Sequence, residues 1–184
     1  MIITDELPTD AAAIEALLDA AFGPGRFTKT VYKLREGVDP LPELSLVARD
    51  ADGRLIGSIR YWPVMLGDTP SIMLGPVAIA AEWQGKGVGG ELIRRSMARA
   101  ADLGHPHIIL VGDAPYYGRF GFRRDLAESL MLPGPVDPNR FLAAELVPGA
   151  MAGVSGLVGK APVPLAAMVK PMPVRLRRRL GRTA

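Results

Sequence analysis

The stretch Gln84-Gly85-Lys86-Gly87-Val88-Gly89-Gly90 constrains this chain more than any other. An apolar run, Ile72 to Ile79, precedes it, and the segment Glu91 to Ala101 follows with helical spacing of its apolar residues. The implied order is strand, short connection, glycine turn, helix. Four glycines in six residues leave the main chain unshielded, so its N–H groups can approach a bound group closely. A helix that starts there adds amide donors without intrahelical partners and the positive end of its dipole. The product is an anion site, suited to a phosphate or pyrophosphate.

Two kinds of phosphate site use such a turn. Gly85, Gly87 and Gly90 fit the dinucleotide pattern GxGxxG. That pattern normally sets its first glycine at the end of the first strand of a domain. Here Ala80 to Gln84 intervene, and about seventy residues precede the unit. Asp113, after a second apolar run, stands where a ribose-binding acid would be expected. A Walker-type loop needs GKS or GKT, which this turn lacks.

The same residues also read Gln84-x-x-Gly87-x-Gly89, and further on come Tyr116-Tyr117-Gly118-Arg119-Phe120-Gly121-Phe122. These two motifs, in this order and at this spacing, resemble the GCN5-related N-acetyltransferase (GNAT) superfamily. With Leu74-Gly75-Pro76-Val77-Ala78 before the turn, the chain is most similar to the YhbS-like subgroup. The resemblance runs from near Met1 to about Leu146. It implies an α/β fold with a mixed central sheet of about six to seven strands, splayed in the middle, and helices on both faces. It implies acetyl-CoA as acyl donor, an amine as acceptor, and no metal. It assigns CoA binding to Val77, Ala78, Ile79, Gln84, Gly85, Lys86, Gly87, Val88, Gly89, Gly90 and Tyr117.

Length and composition fit one cytoplasmic domain. A chain of 184 residues can bury a substantial core. It has no run of eighteen apolar residues and no signal-peptide pattern at its start. Without cysteine there can be no disulfide, thiolate metal site or cysteine nucleophile, and two histidines are too few for a histidine-rich metal centre. The net charge of +3 is unevenly spread: residues 170–184 carry six basic residues and no acid, leaving 16 basic against 19 acidic elsewhere.

Along the chain, Met1 to Thr4 reads as a strand, and Thr9 or Asp10 as the cap of a helix with its apolar stripe at Ile14, Leu17, Leu18 and Ala21. Phe27 to Arg35 reads as a second, less regular helix; in the resembled family this region borders the acceptor pocket. Leu44–Arg49, Leu55–Tyr61 and Ile72–Ile79, joined by short turns, imply an antiparallel meander. Gly75-Pro76 inside the third run favours a bulge, because proline donates nothing to a ladder. The resemblance assigns the freed backbone groups to the pantetheine arm of CoA. Val88, Leu92, Ser96, Ala100 and Leu103 mark the buried face of the next helix, with Arg94, Arg95 and Arg99 directed to solvent. His107 to Val111 is then a buried strand, parallel to the one before the helix. Asp113 caps a short helix. Ser129–Leu132 and Arg140–Leu146 read as the last strands. The domain is placed at 1–148. Residues 149–184 form a Pro/Gly-rich extension without clear period, ending in the basic tail.

Acyl transfer from a thioester to an amine needs a held donor, a polarised carbonyl, a neutral amine and a stabilised leaving thiolate. The glycine turn holds the donor and Gln84 orders the turn; Lys86 fits two readings equally, adding charge beside a phosphate or pointing into solvent. A main-chain N–H near Val77 or Ile79 polarises the carbonyl. Tyr117 is the candidate general acid, since a phenol is protonated at neutral pH and can donate to a thiolate. Glu43, Glu82 and Asp113 are candidate bases by type alone. The tail leaves a second function open: a CoA-binding or regulatory module without chemistry, contacting nucleic acid or an anionic membrane. Homodimers are common in the resembled family, and nothing in the residues decides for or against one.

Overall fold

In a computed structural model of the protein, residues 1–161 are described. The basic tail at 170–184 lies outside the described residues, as does any contact it makes. One mixed sheet organises the chain, in the order β1 (Ile2–Asp5), β2 (Leu46–Arg49), β3 (Leu55–Leu66), β4 (Thr69–Ile79), β5 (His107–Val111), β7 (Phe141–Glu145). The turn at Gly53 folds β2 against β3, and the turn at Gly67 folds β3 against β4, giving the expected meander. The helix α3 (Val88–Asp102) carries the chain across to β5, which therefore runs parallel to β4. β7 returns antiparallel to β5.

The sheet has eight strands, one more than the family resemblance led us to expect. Within the Pro/Gly-rich extension, β8 (Gly156–Lys160) pairs with the far end of β3 and with the short β6 (Leu130–Met131). Val158 is fully buried there while Leu157 is exposed, so the alternation of a strand is present. The glycines at 156 and 159 hid it in the sequence, since they supply no side chain to read.

β4 and β5 meet only at Ile72↔Ile108 and Met73↔Ile109. Past Met73, β4 continues for six residues, to Ile79, without a strand partner on that side among the described residues. The cause lies at Gly75-Pro76. Ile59 pairs with Val77 and Tyr61 with Leu74, so Gly75 and Pro76 together oppose Arg60. This is a bulge on β4, and it turns the strand away from β5.

The helices cover both faces. α3 buries Val88, Leu92, Ile93, Ser96 and Ala100 against the sheet. Leu103 does not join them. It follows the last helical turn and is 47% exposed, while Ile93, which the apolar spacing did not include, is buried. The Ser96 hydroxyl, though buried, donates to the carbonyl of Leu92 (2.8 Å) and meets the Tyr61 hydroxyl at 2.9 Å. On the other face, α1 (Ala11–Phe22) packs Ile14 and Leu18 onto Val47 and Ala78, while Ala21 is exposed. Asp10 does not cap this helix with its side chain. Its carboxylate instead accepts from the Leu7 N–H (3.0 Å) and pairs with Arg49. Next come a 3₁₀ turn, Pro24–Thr28, and the short helix α2 (Thr30–Arg35), where one irregular helix was expected. α4 (Ala114–Gly118) follows β5. Among the described residues no helix is long and apolar enough to cross a membrane.

Candidate active site

The glycine turn sits where the opened edge of β4 ends. Gly85 and Gly87 have φ of 74° and 83°, and Gly87 caps α3 in the left-handed conformation that glycine accepts without strain. The Gln84 side-chain amide donates to the Ile79 carbonyl at 3.3 Å, tying the turn to the end of β4 as the sequence suggested. Glu91 N–H makes the first backbone bond of the helix, to Gly87 O at 3.0 Å. The N–H groups of Val88, Gly89 and Gly90 have no hydrogen-bond partner among the described residues. They form the donor-rich mouth of the helix.

A cavity of about 460 Å³ opens over this mouth, lined by Ile79, Gln84, Gly85, Gly87, Val88, Gly89 and Gly90 from the turn and its flanks. Tyr116, Arg119 and Phe120 wall it from the α4 side, and Arg94 and Trp83 complete it. No carboxylate lines it, so its charged groups are all cationic. Close packing makes glycine necessary at Gly89: a Cβ there would lie 2.9 Å from the Tyr116 hydroxyl. Arg119 is stacked over Tyr116, 4.5 Å from the ring centroid. Arg94 is held to Glu91 at 2.8 Å, with most of its side chain exposed.

Four of the expected CoA-binding residues do not line this cavity: Val77 and Tyr117 line a second one, and Lys86 and Ala78 line neither. The Lys86 ammonium lies over the Trp83 ring, 5.0 Å from its centroid. The Ala78 side chain is buried beneath α1 with Ile14 and Leu18. Val77 lines a second cavity, also of about 460 Å³, which occupies the gap between β4 and β5. Leu74, Gly75, Pro76 and Val77 form one wall of it, and Val111, Gly112, Asp113 and Tyr117 face them.

Tyr117 is fixed in that wall. Its ring lies against Gly112, where any Cβ would overlap it. It packs edge-on to Tyr116 (5.1 Å) and to Phe122 (5.9 Å). Burial, reinforced by the neighbouring Tyr116, pushes its phenol up to about 12. The group therefore stays protonated across the neutral range. Asp113 caps α4 through Tyr116 N–H (3.0 Å), as expected, and of the three candidate bases only it lines the gap. Glu82 pairs with Arg54 at 2.8 Å in an exposed ion pair, and Glu43 lines neither cavity.

A third cavity lies on the far side of the bulge, under α1 and α2. It shares Tyr32, Arg35 and Pro76 with the gap, so the two spaces meet there. Sequence reasoning missed Trp83, Arg94, Arg119 and Phe120 as cavity residues. Arg94 falls one helical turn after Gly90, a spacing that points its side chain back toward the mouth.

A sheet pried open at its centre, with an anion cradle where the opening ends, is the framework of an acyl-coenzyme A N-acetyltransferase. Residues 11–122 match the Acetyltransferase (GNAT) family. The chain is 32% identical over 160 residues, 86% of its length and 95% of the relative's, to the uncharacterized N-acetyltransferase YhbS of Escherichia coli K12. It is 36% identical over 124 residues, 65% of its length and 67% of the relative's, to the uncharacterized N-acetyltransferase YjhQ of the same organism. Its fold is similar to that of E. coli YhbS in complex with CoA (TM-score 0.75, 30% identity, 87% of this chain and 89% of that one). It is similar also to a GNAT family acetyltransferase from Brucella melitensis in complex with acetyl-CoA (TM-score 0.64, 31% identity, 88% and 96%). The chain belongs to the GNAT acetyltransferase family, and it is an N-acetyltransferase dependent on an acyl-CoA.

Proposed function

We propose that this protein moves the acetyl group of acetyl-CoA directly onto an amine. The diphosphate lies on the N–H groups of Val88, Gly89 and Gly90, with Arg94 and Arg119 supplying charge around it. The pantetheine arm runs along the open edge of β4 from Ile79 toward Val77, occupying the place of a missing strand. This directs the thioester into the gap beside Pro76 and across from Tyr117. One observation carries the reading: the donor-only helix mouth and the bare edge of β4 meet at Ile79, and that edge leads to a buried, protonated phenol.

The chemistry follows from these positions. A neutral amine attacks the carbonyl carbon, and a main-chain N–H of the bulged strand receives the developing oxyanion. The C–N bond forms and the C–S bond breaks. The Tyr117 phenol gives its proton to the departing thiolate, and recovers one from the ammonium-derived proton released to solvent. No covalent enzyme intermediate is needed. The two relatives whose solved structures hold CoA and acetyl-CoA support the choice of donor.

The test is CoA release from acetyl-CoA followed across a panel of amines, beside calorimetric titration with CoA. Binding together with amine-dependent release is the expected result. Binding without release by any amine would leave a CoA-binding module and overturn the catalytic reading.

A further inference from the structure

Arg35, the last residue of α2, is 8% exposed and forms no ion pair with any described residue. Among the described residues its Nε and Nη1 find no hydrogen-bond partner, and neither do the Tyr32 hydroxyl and the Trp62 indole N–H nearby. The guanidinium lies 4.8 Å from the Tyr32 ring centroid and 5.7 Å from that of Trp62. Burial lowers its pKa to about 10, so it is still charged at pH 7. A buried charge without a counter-charge is among the most costly arrangements a fold can keep.

The neighbouring arginines make the vacancy specific. Arg60, in the same cavity, is neutralised by Glu6 (2.7 Å) and Glu15 (3.5 Å). Arg26 is neutralised by Glu15 and Asp19. The described residues supply carboxylates to both and none to Arg35. Arg35 also stands where the third cavity meets the gap, with Nη2 3.3 Å from the position a Cβ on Gly75 would take. That is the bulge at which the acceptor must reach the thioester. Every unpartnered group converging there can donate a hydrogen bond.

We propose that the acceptor carries a carboxylate besides its amine, and that Arg35, with Tyr32 and Trp62, binds it. A guanidinium presents two parallel N–H groups that match the two oxygens of a carboxylate. This seats the acceptor with its anionic end under α2 and its amine toward Pro76. The aromatic walls, Phe27, Tyr32 and Trp62, enclose the carbon frame between the two. Arg35 acts as a specificity residue for the transfer reaction proposed above, and the inference rests on that reading.

The experiment compares free L-amino acids with their primary amides as acceptors, in wild type, Arg35→Met and Arg35→Lys. Comparing the acid-to-amide ratio of kcat/KM between wild type and variant cancels the different basicity of the two amines. Wild type should prefer the free acid, and Arg35→Met should cut that preference by about 10–100-fold, the size of a lost charge-assisted pair. Arg35→Lys, which keeps the charge without the fork, should fall between. CoA affinity should not change in either. Calorimetry with N-acetyl-L-amino acids against the CoA-loaded protein reads the same contact without turnover, and binding there should need Arg35. Equal loss of turnover for acids and amides in Arg35→Met would assign the residue to the thioester and overturn the proposal. So would carboxylate binding that persists in that variant. Transfer to amides alone would also overturn it while leaving the acetyltransferase reading intact. Carboxylate binding without any transfer would do the reverse.

Discussion

Gly89→Ala places one methyl group at the mouth of α3, where the diphosphate is proposed to lie. In an ordinary helix, exchanging glycine for alanine stabilises by about 0.5–1 kcal/mol. Position 89 is in the first turn of α3 and has no positive φ, so the backbone itself accepts the change. The added methyl, however, enters the cavity over the helix mouth, 2.9 Å from the Tyr116 hydroxyl and 3.5 Å from Ile79 Cγ1. Tyr116 has little room to yield, because it packs on Tyr117, Phe120 and Arg119. The methyl and the diphosphate therefore compete for one space. Displacing the ligand from one N–H costs about 1.5–3 kcal/mol for a charge-assisted hydrogen bond, or roughly 10- to 150-fold in affinity. CoA titration by calorimetry should show that loss, beside a destabilisation of the unliganded protein of no more than about 1–3 kcal/mol from the overpacked contact with Tyr116. Gly118→Ala, at a position where a Cβ meets nothing within 4 Å, serves as the control and should bind CoA normally. Unchanged CoA affinity in Gly89→Ala would refute the placement of the diphosphate.

Tyr117→Phe should lower kcat by about 100-fold or more, the usual contribution of general acid catalysis, with CoA affinity unchanged. Equal turnover in that variant would remove the phenol from the reaction. Because the phenol is raised to about 12, it remains a proton donor up to high pH. The pH–rate profile of wild type should therefore rise as the acceptor amine loses its proton and show no falling limb below pH 10; a limb near pH 9 would contradict the assignment. Glu6→Ala should destabilise the fold by about 2–3 kcal/mol, near the lower range for breaking a mostly buried pair. It removes the two bonds of 2.8 and 2.7 Å that hold Arg60 and leaves that guanidinium only the longer contact to Glu15 at 3.5 Å. Chemical denaturation reads this directly, and a change under 0.5 kcal/mol, the range of ordinary surface substitutions, would mean the pair is idle.

The features legible in the sequence were those fixed by local backbone chemistry. The glycine turn announced both its conformation and its donors, because bare N–H groups at a helix start have few uses besides holding an anion. Gly75-Pro76 announced the bulge, since proline must interrupt a ladder. Asp113 announced the cap of α4. The hidden features depend on what the chain meets after folding. Arg94 and Arg35 look alike in the sequence, yet one edges the helix mouth and the other is buried without a counter-charge. Nothing local distinguishes a solvated arginine from a trapped one. Lys86 lies within the motif, but the turn carries its side chain out over Trp83. β8 escaped notice because two of its five residues are glycine, and its pairing with β3 spans about ninety positions.

The central claim is that the mouth of α3 grips the diphosphate of the acyl donor. Acetyl-pantetheine carries the same thioester and the same arm but neither the diphosphate nor the nucleotide beyond it, so comparing it with acetyl-CoA in wild type and in Gly89→Ala tests that claim: the difference between donors should narrow in the variant. Steady-state turnover with a reactive amine should show kcat/KM at least about 100-fold lower for the truncated donor, since several charge-assisted bonds are missing. Comparable kcat/KM for the two donors would mean the glycine cradle holds nothing that matters, and the account would fail.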